Sequence, residues 1–199
     1  MNPRVTIALM LGVAAVFAGV VALAWPGDDQ ASGDGERFEG ASLPAGLKAP
    51  DFTLRDQDGD RVSMRALRGK PVIVAFLYST CEDTCPIQAQ QIKGALNELG
   101  TDYPALAVSV DPANDSTRNA KAFNSKQRMT GRLTWVLGDR AQLAPVWKAY
   151  GATGQREDLE HNARFVLVDP EGVQRVGYPL DKVTPERVAH DLKLLAAGR

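Results

Sequence analysis

Apolar residues along this chain fall into patterns of three kinds. Val5 to Trp25 is a run of 21 positions without a charged side chain. As a helix rising about 1.5 Å per residue it extends roughly 31 Å, the thickness of a bilayer core. Pro71–Tyr78 (PVIVAFLY), Ala105–Val110 (ALAVSV) and Thr134–Leu137 are short apolar runs, the pattern of strands buried on both faces. Phe52–Leu54 with Arg61–Ser63 reads as a small hairpin around Asp56-Gln57-Asp58-Gly59. Phe165–Val168 with Val173–Tyr178 reads as a second hairpin around Asp169-Pro170-Glu171-Gly172, where Pro second and Gly fourth suit a type I turn. Helices are expected over Pro86–Leu99, Asp115–Lys126 and Ala141–Tyr150, with a last one opening at Thr184-Pro185-Glu186. Ile92, Leu96 and Leu99 make one inner stripe, and Val188, Leu192 and Leu195 another. Gly100 and Gly151 supply stops. Strands alternating with helices imply a largely parallel sheet covered on both faces.

Charge and composition narrow the classes. The 199 residues carry 23 Lys and Arg against 24 Asp and Glu, a net charge of -1, so no polybasic surface points to nucleic acid. A hydrophobic share of 44% excludes a wholly disordered or multi-span chain. Residues 1–46 hold two basic and five acidic residues. Arg4 precedes the long apolar run and Asp28 and Asp29 follow it. By the positive-inside tendency the N-terminus stays cytoplasmic, and the rest lies on the extracytoplasmic side of the cell membrane as a single-pass protein. A cleaved signal peptide is the competing reading, with Ala22-Leu23-Ala24 as a small-x-small site; an apolar run longer than a signal's usual core favours a retained anchor. Residues 26–46 have five Gly and two Pro and read as a flexible acidic linker. The expected organisation is an anchor at 5–25, a linker at 26–46 and a folded α/β domain at 47–199.

Candidate chemistry centres on Cys81 and Cys85, the whole cysteine supply. Two are too few for a disulfide scaffold or a four-cysteine zinc site, and read as a dedicated pair. They follow a core strand and open a helix, at the carboxyl end of the sheet where open α/β folds place their sites. Cys85, just before Pro86, is expected at the helix N-cap, where the helix dipole favours a thiolate. Disulfide Cβ atoms sit about 3.5–4.5 Å apart, whereas helical i, i+4 neighbours sit about 5–6 Å apart. Cys81 is therefore expected in the preceding loop, free to alternate between metal ligation and a disulfide. Asp111 ends a core strand at the same end; it reads as a turn cap, a partner contact or a support to the site. Trp135 and Trp147 fit core positions. His190, two residues after inward Val188, is expected to face solvent.

The stretch Phe76-Leu-Tyr-Ser-Thr-Cys81-Glu-Asp-Thr-Cys85-Pro86 resembles the C-x-x-x-C-P motif of the Sco/SenC family. Val108-Ser-Val-Asp-Pro112 resembles that family's V-S-V-D-P strand end, and Glu160-His161-Asn162 before Phe165 its histidine-bearing loop. Glu82 stands where many members carry Pro, and Asn162 where many carry Ser or Thr. The resemblance implies a thioredoxin-like fold, a central mixed sheet flanked by helices, preceded by one N-terminal transmembrane helix. It also implies one copper ion, Cu(I) or Cu(II), held by Cys81, Cys85 and His161. The chemistry agrees, since thiolates suit Cu(I) and imidazole tolerates both states. The implied partners are copper donor proteins and the copper-bearing subunit of cytochrome c oxidase, whose binuclear copper centre the family helps assemble.

The expected function is thus a membrane-anchored metallochaperone or thiol reductant. A thiol–disulfide oxidoreductase or thiol peroxidase is the enzymatic alternative, and a redox or copper sensor uses the same site. Thioredoxin-like reductases carry C-x-x-C and a proline before the strand that enters the last hairpin. Three residues separate the cysteines here, and His161-Asn-Ala-Arg164 occupies that approach.

Overall fold

The computed structural model describes residues 37–154 and 164–198. The elements in chain order are β1 (Ala41–Ser42), β2 (Thr53–Arg55), β3 (Arg61–Ser63), β4 (Val72–Leu77), α1 (Thr84–Leu99), β5 (Ala105–Ser109), α2 (Thr117–Gln127), β6 (Thr134–Val136), α3 (Arg140–Tyr150), β7 (Phe165–Val168), β8 (Gln174–Tyr178) and α4 (Pro185–Ala196). The main sheet has the order β1-β8-β7-β4-β5-β6, with β2 and β3 as a separate pair. Only β4–β5 and β5–β6 are parallel; β4–β7, β7–β8 and β1–β8 are antiparallel. The sheet is therefore mixed rather than largely parallel, because the closing hairpin returns beside β4.

The central strand β4 is buried along its whole length, and its alternation divides the core. Ile73, Ala75 and Leu77 face α1, α2 and α4, where Ile92, Phe123 and Leu192 pack. Val72, Val74 and Phe76 face α3 and the β2–β3 hairpin, where Leu143, Trp147 and Val62 pack. Helix ends follow local chemistry. Asp139 and Gln142 form a capping box on α3, Ser116 caps α2 and Thr184 caps α4. Gly100 and Gly151 take positive φ and end α1 and α3. Within α1, Gly94 permits close packing on α4, since a Cβ there falls 2.6 Å from Pro185 Cγ. Trp135 and Trp147 are buried, each donating its indole N–H, to Asn124 Oδ1 and to the Ser109 carbonyl.

The linker boundary needs correction. Residues 37–46 belong to the folded unit: Phe38 packs on the core, and Ala41 and Ser42 pair with Gly177 and Val176. Asp191, fully buried on α4, fastens the segment: its carboxylate accepts the backbone N–H groups of Glu39 at 2.8 Å and Gly40 at 3.0 Å and the hydroxyl of Tyr178. His190 is half-buried, its Nδ1 2.9 Å from Asp191 Oδ1, rather than facing solvent freely. Among the described residues no helix is long and apolar enough to cross a membrane. The anchor at 5–25 and linker residues 26–36 lie outside them.

Removing the Asp191 carboxylate takes the acceptor from the Glu39 and Gly40 amides, while the Tyr178 hydroxyl keeps the Arg187 carbonyl. Asp191→Ala is expected to cost about 1–3 kcal/mol or more of stability. Hydrogen exchange should show the Glu39 and Gly40 amides losing protection before the rest of the sheet; exchange unchanged at those two amides would refute the latch.

Candidate metal-binding dithiol site

Strand β4 ends at Leu77 and delivers Tyr78, Ser79, Thr80 and Cys81 to the carboxyl edge of the sheet. A turn follows, in which Cys81 N–H donates to the Tyr78 carbonyl at 3.2 Å. The turn is fixed from below by Asp115. Its Oδ1 accepts from both the N–H and the hydroxyl of Ser79 at 2.6 Å, and its Oδ2 accepts from the Ser109 hydroxyl at 2.5 Å. Burial holds the Asp115 carboxyl above the ordinary range, with the serine hydrogen bonds opposing. Asp115 was expected to be part of a helix end. Ser116 is the cap, and the buried carboxylate is the support of the cysteine loop. A carboxylate within reach of two strand-end serines was the available signal. Asp111 is a turn residue: its carboxylate accepts from Asn114 Nδ2 and its carbonyl from the N–H groups of Asn114 and Asp115.

Helix α1 begins at Thr84, two residues before Pro86, and Asp83 precedes it without a side-chain capping bond. Cys85 is consequently inside the first turn rather than at the N-cap. Its N–H donates to Cys81 Sγ at 3.3 Å. The sulfur of Cys81 thus receives one of the free amides that a helix start leaves over. Both cysteines are free thiols, Cys81 nearly and Cys85 completely buried.

This geometry reverses the expected roles of the two sulfurs. Burial raises the Cys81 thiol, but hydrogen bonds from the Cys85 side chain, the Cys85 and Asp83 backbone and the Tyr78 hydroxyl outweigh it and bring it below the ordinary thiol value. Burial, then the neighbouring Cys81, pushes Cys85 well up. Tyr78 is pushed up to about 12, first by its hydrogen bond to Cys81 and then by burial. The helix start therefore stabilises a thiolate at Cys81, not at Cys85.

The pair presents two soft sulfur donors, Cys81 on the loop and Cys85 in the first turn of α1. Glu82 and Asp83 are exposed. Among the described residues no three His, Cys, Asp or Glu side chains cluster as a metal site. His161, the expected third ligand, lies outside the described residues. The described chain resumes at Arg164, whose carbonyl accepts from Phe76 N–H at 3.2 Å, at the same end of β4 as the cysteines.

A mixed sheet with helices on both faces, a dithiol between its central strand and a helix, and a closing hairpin and helix define a thioredoxin-like dithiol protein. Residues 41–197 match the profile of the SCO1/SenC family, and the chain belongs to that family. It is 32% identical over 148 residues to Protein SenC of Rhodobacter capsulatus, covering 69% of this chain and 66% of that one. It is 33% identical over 135 residues to Alkyl hydroperoxide reductase E of Mycobacterium tuberculosis, covering 67% of this chain and 83% of that one. Among solved structures, Bradyrhizobium japonicum ScoI with copper bound superposes with a TM-score of 0.63 at 30% identity, over 74% of this chain and 99% of that one.

Alkylation separates the two thiols. With limiting iodoacetamide near neutral pH, Cys81 is expected to react at least about tenfold faster than Cys85, and its rate to level off below the pH of an ordinary thiol. Peptide mapping reads both; faster labelling of Cys85 would reverse the assignment.

Proposed function

We propose that this protein is a membrane-anchored copper carrier that assists assembly of the binuclear copper centre of cytochrome c oxidase, holding one copper ion through Cys81, Cys85 and His161. The observation that carries the reading is the pair of buried free thiols where a loop tied down by Asp115 meets the start of α1, with Cys85 N–H on Cys81 Sγ at 3.3 Å. Sulfur donors fit Cu(I) as cargo, and the His161 imidazole completes a three-coordinate set that leaves one side open for exchange with a recipient. Membership of the SCO1/SenC family and the likeness to a copper-bound ScoI support the same cargo. Retention of residues 5–25 as an anchor holds the site near a membrane-embedded recipient and raises the effective concentration of the encounter.

The protein's own contribution is threefold. Cys81 supplies the first thiolate, already stabilised by the helix start. Asp115 and Ser79 hold the loop so that Cys81 faces Cys85. Oxidation of both thiols by an external disulfide joins the two sulfurs, releases two electrons to the oxidant, and removes the donors. The pair is then both carrier and switch.

A second reading, thiol peroxidase or oxidoreductase, draws on the likeness to Alkyl hydroperoxide reductase E and on the thiolate character of Cys81. The buried resolving position of Cys85 and the C-x-x-x-C spacing favour metal carriage.

Competition against a Cu(I) chelator tests the proposal on the reduced full chain in detergent. One copper per chain is expected; Cys81→Ser and Cys85→Ser should lose tight binding, His161→Ala should weaken it, and His190→Ala should match the parent. Undiminished binding in His161→Ala would remove the third ligand. Protein oxidised with glutathione disulfide should bind no Cu(I), and tight binding by that form would refute the shared-sulfur switch. Fractionation with N-terminal sequencing checks the anchor: a soluble product beginning near Trp25 would show a cleaved signal.

A further inference from the structure

The β2–β3 hairpin carries two like charges that the fold leaves unbalanced. Arg55 on β2 and Arg61 on β3 stand directly opposite each other in the antiparallel register, and both are exposed. Side chains at such positions start about 4.5–5.5 Å apart, and like charges there repel. Among the described residues neither arginine has an ion-pair partner. Two aspartates of the adjoining turn are engaged elsewhere. Asp58 pairs with Lys121 at 3.0 Å, and Asp56 Oδ1 accepts the Asp58 and Asp60 amides.

Both arginines line an open pocket of about 480 Å³, a volume within the range of small-ligand sites. Thr53, Gly138 and Gln142 belong to the same wall, and among the described residues no Asp or Glu lines it. Arg55 exchanges backbone hydrogen bonds with Leu137 at the end of β6, so Arg61, Arg55 and Leu137 form one row across three strands that ends beside Gly138. A Cβ at Gly138 falls 3.0 Å from Gln142 Oε1 and 3.4 Å from Leu54 Cδ2, so a side chain there would crowd the wall. Gln142 Oε1 accepts the Asp139 N–H at 2.9 Å in the capping box, which leaves Nε2 as its donor at the pocket. The Asp139 carboxylate is occupied as the cap of α3, accepting the Gln142 N–H at 2.8 Å.

We propose that this pocket binds a phosphate-class oxyanion between the Arg55 and Arg61 guanidinium groups, with the Thr53 hydroxyl and the Gln142 amide as further donors. Guanidinium forks match the paired oxygens of phosphate. A dianion offsets both positive charges, which the single charge of a carboxylate does not. Strand β6 ends at the same edge of the sheet as β4, but β5 lies between them, a lateral separation of about 10 Å. Neither arginine is a copper ligand, so the anion site stands apart from the copper reading. A free phosphate ester and a phospholipid headgroup both present the required group.

Equilibrium dialysis of the full chain in neutral detergent against radiolabelled inorganic phosphate tests the site, with chloride holding the ionic strength constant. One saturable phosphate per chain is expected, and acetate at equal concentration should not displace it. Arg55→Gln and Arg61→Gln should each weaken binding about tenfold or more, the usual effect of losing a hydrogen bond between charged groups. Lys70→Gln, beside the opposite end of β4, should bind as the parent does. Because the empty pair repels itself, Arg61→Gln should melt no lower than the parent in phosphate-free buffer, which separates loss of a ligand contact from loss of fold. Displacement of the label by glycerol phosphate would assign the site to free esters, and displacement by dihexanoyl phosphatidylglycerol alone would assign it to the lipid headgroup. Absence of saturable binding above matched chloride, or equal binding by the parent and both arginine variants, would overturn the proposal.

Discussion

The contact between the Cys85 amide and the Cys81 sulfur, at 3.3 Å, governs the site. A helix start must place its first N–H groups somewhere, and here one falls on a thiol rather than on a capping oxygen. Asp83, the residue at the usual capping position, makes no such bond. The consequence is an unequal pair. Cys81 is held by the helix start and by Tyr78, and favours the thiolate; Cys85 is sealed in the core and favours the thiol. An unequal pair gives up its two protons in order, Cys81 before Cys85, and both soft-metal binding and disulfide formation depend on that order.

The contact depends in turn on the strand below it. Strand β4 has apolar side chains on both faces, and its burial fixes where Tyr78 emerges. Asp115 then clamps Ser79 and Ser109, joining the ends of β4 and β5 through one carboxylate. A second buried carboxylate, Asp191, performs the corresponding task on another edge of the sheet, fastening the segment at Glu39 and Gly40 to the last helix. Both carboxyl groups are expensive to bury, and both are matched by several donors, which is the condition under which buried polar groups are tolerated.

Much of this architecture was legible in the sequence, and the reasons are local. The run PVIVAFLY leaves no polar face and so specifies a central strand. Ile92 and Leu96, and Val188, Leu192 and Leu195, mark the inner faces of two helices by spacing alone, and all five are buried. The loop position of Cys81 followed from the reach of a disulfide. What was not legible depends on contacts between residues far apart in the chain. Ala41 and Ser42 form a strand inside an acidic, glycine-containing stretch that distant residues hold, Asp191, about 150 positions on, among them through the neighbouring amides. The start of α1 at Thr84 moved Cys85 inward and exchanged the roles of the sulfurs. Asp115 looked like a helix start because its partner Ser79 lies 36 positions away. His161 lies outside the described residues, so its ligand role rests on the family motif.

The central claim is that the chain binds copper through two cysteine sulfurs and one histidine nitrogen. X-ray absorption on the reduced full chain loaded with one equivalent of Cu(I) addresses it most directly. The account predicts a three-coordinate ion with two sulfur neighbours and one nitrogen, the nitrogen disappearing in His161→Ala. A first shell with a single sulfur, or one unchanged by His161→Ala, would contradict it.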